Sequence, residues 1–153
     1  MSRKRVIDEI DKRIIEMLQQ DGRRPFTQIA RDLGLSEAGV RQRVQSLIEE
    51  KVMQIVAVTD PLMLGFQLFA MIGIRADGGR LIEIAEAIAR FDEVSYLLIC
   101  TGEFDMLAEV VCEDNEHLLR FLTEKLYCVE GVQRGETFVY LRVYKQTYQW
   151  GTR

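Results

Sequence analysis

Histidine is almost missing from this chain of 153 residues; His117 is the only one. Cysteine is sparse and odd in number, at Cys100, Cys112 and Cys128, with no CxxC spacing. These shortages argue against a Cys/His zinc cluster and against a disulfide framework, so the three thiols, each in an apolar stretch, are expected to be buried. No metal or cofactor is expected. No apolar run approaches the roughly 18 residues that a membrane helix needs. The basic opening Arg3-Lys4-Arg5 is followed by no signal-peptide core. The expectation is a cytoplasmic chain with no membrane partner. No nucleophile–base pair stands out either, which argues against an enzyme.

What is present is the balance of a folded chain: 48% hydrophobic and 29% charged residues, too apolar for disorder. The net charge of −4 is unevenly spread. Residues 1–51 hold eleven Lys/Arg against nine Asp/Glu, a balance of +2; residues 52–153 hold nine against fifteen, a balance of −6. Only the first third therefore suits a polyanion.

Helical spacing governs the first fifty residues. Ile7, Ile10, Ile14, Ile15 and Leu18 recur on a 3.6-residue period, with Asp8, Glu9 and Asp11 at the end that favours negative charge and Gly22 available as a C-cap. Pro25 suits the first position of a second helix that buries Ile29, Ala30 and Leu33. Gly34 supplies a left-handed turn. Ser36 caps a third helix whose apolar stripe is Val40, Val44, Leu47 and Ile48. Two short helices joined by Leu33-Gly34-Leu35-Ser36 make a helix-turn-helix, and its last helix is the one that enters a major groove. Ala38, Gln42, Gln45 and Ser46 point away from the stripe, and Arg41 and Arg43 flank it. Glutamine can pair with adenine, arginine with guanine or phosphate, and the small Ala38 and Gly39 permit close approach. The candidate DNA-binding residues are Ser36, Ala38, Gly39, Arg41, Gln42, Arg43 and Gln45, with Arg3-Lys4-Arg5 and Arg23-Arg24 as candidate phosphate contacts.

Val52–Val58 is β-branched enough for a connecting strand, and residues 52–66 form the linker. From residue 67 the pattern reads strand (67–75), helix (Leu81, Ile84, Ala85, Ile88), strand (94–101), strand (106–112), helix (Leu118, Leu119, Leu122, Leu126) and strand (138–144). Asp114 or Asn115 caps the second of these helices. This βαββαβ order is the ferredoxin-like arrangement. The expected fold is α+β: a winged-type helix-turn-helix domain over 1–51 and a ferredoxin-like domain over 67–153. His117 is expected as a solvated residue, and Tyr140, Tyr144, Tyr148 and Trp150 as packing.

These segments together resemble the Lrp/AsnC, or feast/famine, family of prokaryotic transcription regulators. The resemblance rests on Ile7–Ile15, Leu18–Arg23, Ile29–Ser36 with Val40–Val44, Asp60-Pro61, Leu64-Gly65-Phe66 and Thr101-Gly102-Glu103-Phe104-Asp105, in order and covering essentially the whole chain. Two positions depart from it. Lys51-Val52 stands where the family often has a glycine, and Thr59 where asparagine is common. The resemblance implies binding to double-stranded DNA, a dimer through the ferredoxin-like domains that is often built up to an octamer, and an amino acid or related metabolite as effector.

The turn 101–105 has parts that suit such a zwitterion. Gly102 can expose backbone amides to a carboxylate, and Glu103 and Asp105 offer acceptors to an ammonium. Thr101, Gly102, Glu103, Phe104 and Asp105 are the candidate ligand-binding residues. Two alternatives stay open for this segment: an ordinary hairpin turn, and Phe104 as filler of a dimer interface. Two other functions fit the architecture: a sensor or scaffold whose helix-turn-helix no longer binds DNA, and a tetrapyrrole decarboxylase, which the acidic second domain and single histidine oppose.

Overall fold

The computed structural model describes residues 6–149 and 151–152. The chain divides into two compact units: Met1–Val58 with Lys145–Arg153, and Thr59–Tyr144. The basic opening Arg3-Lys4-Arg5 and Trp150 lie outside the described residues.

In the first unit, α1 spans Glu9–Gln20. Asp8 and Asp11 cap its start reciprocally, each carboxylate accepting from the other's backbone N–H at 2.8 and 3.4 Å. The helix ends on Asp21 in an extended conformation (φ −145°), whose N–H donates to the Met17 carbonyl. The C-cap role expected of Gly22 is thus taken by Asp21, and Gly22 has no positive φ. α2 spans Phe26–Leu33. Pro25 sits one residue earlier than expected, in the N-cap place, and its carbonyl accepts from Gln28 and Ile29. Gly34, at φ +68°, turns the chain into α3 (Glu37–Glu49), whose first turn is closed by Ser36 Oγ accepting from Gly39 N at 3.1 Å. Ile14, Ile29, Val40 and Leu47 have no exposed surface at all. Aliphatic burial of this kind stabilises by about 1.5–3 kcal/mol per side chain.

After α3, Lys51 adopts φ +58°, a left-handed conformation that costs a side-chain-bearing residue more than glycine. The strand expected over 52–58 does not form. A strand needs a neighbour to satisfy its N–H and C=O groups, and none pairs with these residues within the described chain; Ile55, Val56 and Val58 stay exposed. The C-terminal segment returns to α1. Gln149 Nε2 donates to the Gln19 carbonyl at 2.7 Å, Gly151 N to Gln19 Oε1 at 3.1 Å, and the Thr152 hydroxyl to Glu16 Oε1. The first of these satisfies a carbonyl at the helix end that has lost its intrahelical partner, and the other two fall on side-chain oxygens.

The second unit contains β1 (Leu68–Ala76), α4 (Leu81–Ile88), β2 (Val94–Ile99), β3 (Met106–Cys112), α5 (Asn115–Arg120) and β4 (Val132–Val139). The sheet is antiparallel in the order β2-β3-β1-β4, the ferredoxin-like topology. Alternate residues of β1 and β3, from Leu68 to Ala76 and from Met106 to Cys112, are buried under Ile84 and Ile88 of α4 and Leu118, Phe121 and Leu126 of the second helical segment.

Three further details differ from the sequence reading. The last strand runs from Val132 to Val139 instead of from Phe138 to Tyr144. β1 starts at Leu68, so among the described residues beyond Val139 only Tyr140 extends the pairing with β1, its N–H donating to the Phe69 carbonyl. The second helix continues as a π-helical turn over Phe121–Lys125, and its buried side is Leu118 with Phe121, while Leu119 is 53% exposed. Only Cys112 of the three thiols is fully buried, Cys100 being partly covered and Cys128 exposed.

Candidate functional site

The third helix presents two faces. Val40, Val44 and Leu47 are buried, while Ala38, Arg41, Gln42 and Gln45 are exposed. Gly39 is half-covered, its N–H held by Ser36. Gln42 makes no hydrogen bond among the described residues, so its amide is free to bond in two directions. Gln45 donates to Glu49 at 2.9 Å, and Ser46 to Glu50 at 3.0 Å. Arg41 pairs with Glu37 at 2.8 Å and lies 5.5 Å from the centre of the Phe26 ring. These surface contacts are worth well under 1 kcal/mol and give way readily to a phosphate or base.

Arg43 is placed differently from its neighbours. Nη1 donates to Asp8 at 2.7 Å and to Asp11 at 2.8 Å, and Asp11 is wholly buried. The same guanidinium therefore joins α3 to the capped start of α1. Backbone donation from Asp11 and then the Arg43 hydrogen bond hold the Asp8 carboxyl below its ordinary value. Arg24 is likewise committed, to Asp32 at 2.6 Å, whereas Arg23 stays exposed.

In the second unit the five residues 101–105 close the β2–β3 hairpin. Thr101, Gly102 and Glu103 are exposed; Phe104 and Asp105 are partly covered. Gly102 takes φ +129°, a backbone state that a side chain would strain. Asp105 is bound to β1, its N–H donating to the Ile74 carbonyl and its Oδ2 accepting from Ala76 N, both at 2.9 Å. Glu103 pairs with Arg75. The two carboxylates are thus partly engaged, and the exposed groups nearest to free are the Thr101 hydroxyl and the backbone around Gly102.

His117 is not the solvated residue expected. Its Nδ1 accepts from Glu113 N at 3.3 Å, which leaves the proton on Nε2, 3.1 Å from Glu93 Oε1. Lys125 Nζ donates to the same oxygen at 2.7 Å. Glu93 is 7% exposed, and its second oxygen has no partner among the described residues. Burial pushes its carboxyl up, but the bonds from Lys125 and His117 together outweigh that and hold it below its ordinary value. Burial raises the nearby Cys112 thiol to about 11. Glu93 escaped the sequence reading because a lone glutamate before a strand carries no periodic signal.

Comparison with known proteins agrees with this geometry. Residues 7–48 match the AsnC-type helix-turn-helix domain and residues 69–150 the Lrp/AsnC ligand binding domain. An HTH-type transcriptional regulator of Pyrococcus horikoshii is 35% identical over 148 residues, covering 96% of this chain and 94% of its own. The HTH-type transcriptional regulator LrpA of the same organism is 35% identical, covering 84% and 92%. Among solved structures, E. coli AsnC superposes with a TM-score of 0.81 at 22% identity, covering 93% of this chain and 97% of its own. A Neisseria meningitidis transcriptional regulator solved with L-Met also gives 0.81, at 23% identity, with 94% and 96% covered. Matched by both domain models over most of its length and 35% identical to a regulator that it covers almost end to end, the chain belongs to the Lrp/AsnC family of helix-turn-helix transcriptional regulators.

Proposed function

We propose that the chain binds double-stranded DNA through the exposed face of α3 and responds to an amino acid held at the turn 101–105. The observation that carries the DNA part is the exposed, unpartnered amide of Gln42 on a helix whose opposite face is fully buried. Gln42 and Gln45 suit adenine, and Arg41 suits guanine or phosphate. Ala38 and Gly39 keep the helix start slim, and Ser36 holds its first turn in shape. Arg43 keeps the expected place beside them, but it orients α3 through Asp8 and Asp11 and leaves base reading to its neighbours.

The effector class is brought from the similar regulator solved with L-Met. Its support here is the turn itself: an exposed Gly102 backbone and Thr101 hydroxyl for a carboxylate, beside the acceptors of Glu103 and Asp105 for an ammonium. The assembly is a dimer through the second units. The sheet face opposite the helices carries Phe69, Met71, Tyr96 and Phe138, the last two 55% and 45% exposed, which suits a self-complementary contact. A dimer places two α3 helices in successive major grooves about 34–36 Å apart, so the operator is roughly palindromic. The protein acts in the cytoplasm, and no reaction is assigned to it. No helix among the described residues is long and apolar enough to cross a membrane.

The test is fluorescence anisotropy on the gene's own upstream DNA against non-specific competitor. Replacing Gln42→Ala together with Arg41→Ala is expected to weaken specific binding by about 1–3 kcal/mol per lost base contact while leaving the oligomer intact. Unchanged affinity for the specific site would show that another face reads the DNA.

A further inference from the structure

Four consecutive residues of β1 each hold part of the turn. Ile74 accepts from Asp105 N, Arg75 pairs with Glu103, and Ala76 N donates to Asp105 Oδ2. The fourth is Gly73, which makes its contribution by having no side chain. A Cβ built on it would lie 2.5, 2.6 and 2.7 Å from Cδ2, Cε2 and Cγ of Phe104. Carbon atoms pack best at about 3.5–4.0 Å, so the ring and a methyl group cannot share this space. Cγ is the root of the ring, and spinning the ring about its own axis does not move it; the ring must leave its seat, by a turn about Cα–Cβ or by a shift of the residue. The backbone of Gly73 is not in the left-handed region, so space alone calls for glycine here. Phe138 closes the other side of the seat, its ring edge-on to Phe104 at 6.2 Å and 75°. Cys100 stands on the turn's far limb, with Sγ 3.3 Å from the Phe104 carbonyl.

We infer that Gly73 is a positioning residue for effector binding. By seating the Phe104 ring on the sheet, it sets where Thr101, Gly102 and Glu103 stand and therefore how well the turn holds its ligand. This inference rests on the reading of that turn as the effector site. No side chain of residue 73 touches the effector; the effect passes through Phe104.

The experiment compares Gly73→Ala with the parent, both carrying Cys128→Ser to remove the exposed thiol. Cys112 is buried, so labelling by a thiol reagent reports Cys100 and needs no effector. Unseating the Phe104 ring loosens the turn whose carbonyl lies against Cys100 Sγ, and labelling of Gly73→Ala is expected to be severalfold faster. In calorimetric titrations with a panel of amino acids, Gly73→Ala is expected to bind the parent's effector about tenfold more weakly, with unchanged affinity for DNA in its absence. In a Phe104→Ala background the collision is gone, so adding Gly73→Ala should change neither readout; a merely structural role for Gly73 would persist there. That double variant also keeps the test open should Gly73→Ala alone fold poorly. Parent-like labelling by Gly73→Ala, or an undiminished effect in the Phe104→Ala background, would overturn the inference. Faster labelling with no amino acid bound by the parent would instead bring down the effector reading, and the role of Gly73 in binding with it.

Discussion

At the scale of single residues, the two arginines of α3 separate by what they touch. Arg41 faces solvent with an exposed glutamate for company, while Arg43 neutralises a buried aspartate. Replacing Arg43 by alanine removes one charged donor from the buried Asp11 carboxylate and another from Asp8, and the first unit is expected to lose about 1–3 kcal/mol; urea unfolding followed by circular dichroism checks it. A stable Arg43→Ala protein with relaxed operator preference would return Arg43 to the reading face. Lys51 offers the opposite sign. In its left-handed conformation glycine is the easier occupant, so Lys51→Gly should stabilise by up to about 1 kcal/mol, read as a higher melting temperature. Glu93 governs an acid response. Its carboxyl is held below the ordinary value, so its contribution is full above the unfolded-state value, about 4.3, and is lost as pH falls through the lower folded-state value. Melting temperatures taken downward from neutral pH should therefore fall less steeply in Glu93→Gln than in the parent.

At the scale of elements, the sequence was most readable where one period ran unbroken. α1, α3, β3 and the hairpin turn stand where apolar spacing and glycine put them, because a single buried face dictates each. Reading failed where a partner decides the structure. Residues 52–58 have strand composition but no neighbour, and the aromatic alternation after Phe138 outruns the end of β1. It failed again in the second helix, where Phe121, three residues after the buried Leu118, takes the core place expected of Leu119. The candidate DNA-reading residues were legible as a wheel pattern, but the inward pull on Arg43 was not, since it depends on a cap more than thirty residues away. Neither was the tail's return to α1. Deleting residues 145–153 removes three hydrogen bonds at the end of that helix. Each is worth about 0.5–1.5 kcal/mol net, so faster amide exchange in the last turn of α1 is the expected result.

At the scale of the whole molecule, the chain passes between its two units twice, once near Val58 and again near Tyr144. The unit that carries α3 is therefore covalently joined to the unit that carries the turn 101–105 on both sides of the latter. Charge follows the same division: the first unit holds thirteen Lys/Arg against nine Asp/Glu, a balance of +4, and the second seven against fifteen, a balance of −8. Binding DNA through a few basic and amide side chains, it should show an affinity that falls steeply as salt rises. The most direct test of the account is a titration of the protein onto its own upstream DNA at fixed salt, with and without each amino acid of a panel. The expected result is a specific complex whose affinity changes with one amino acid or a close chemical group of them. A specific complex indifferent to every amino acid would contradict the role given to the turn 101–105, and the absence of any specific complex would contradict the role given to α3.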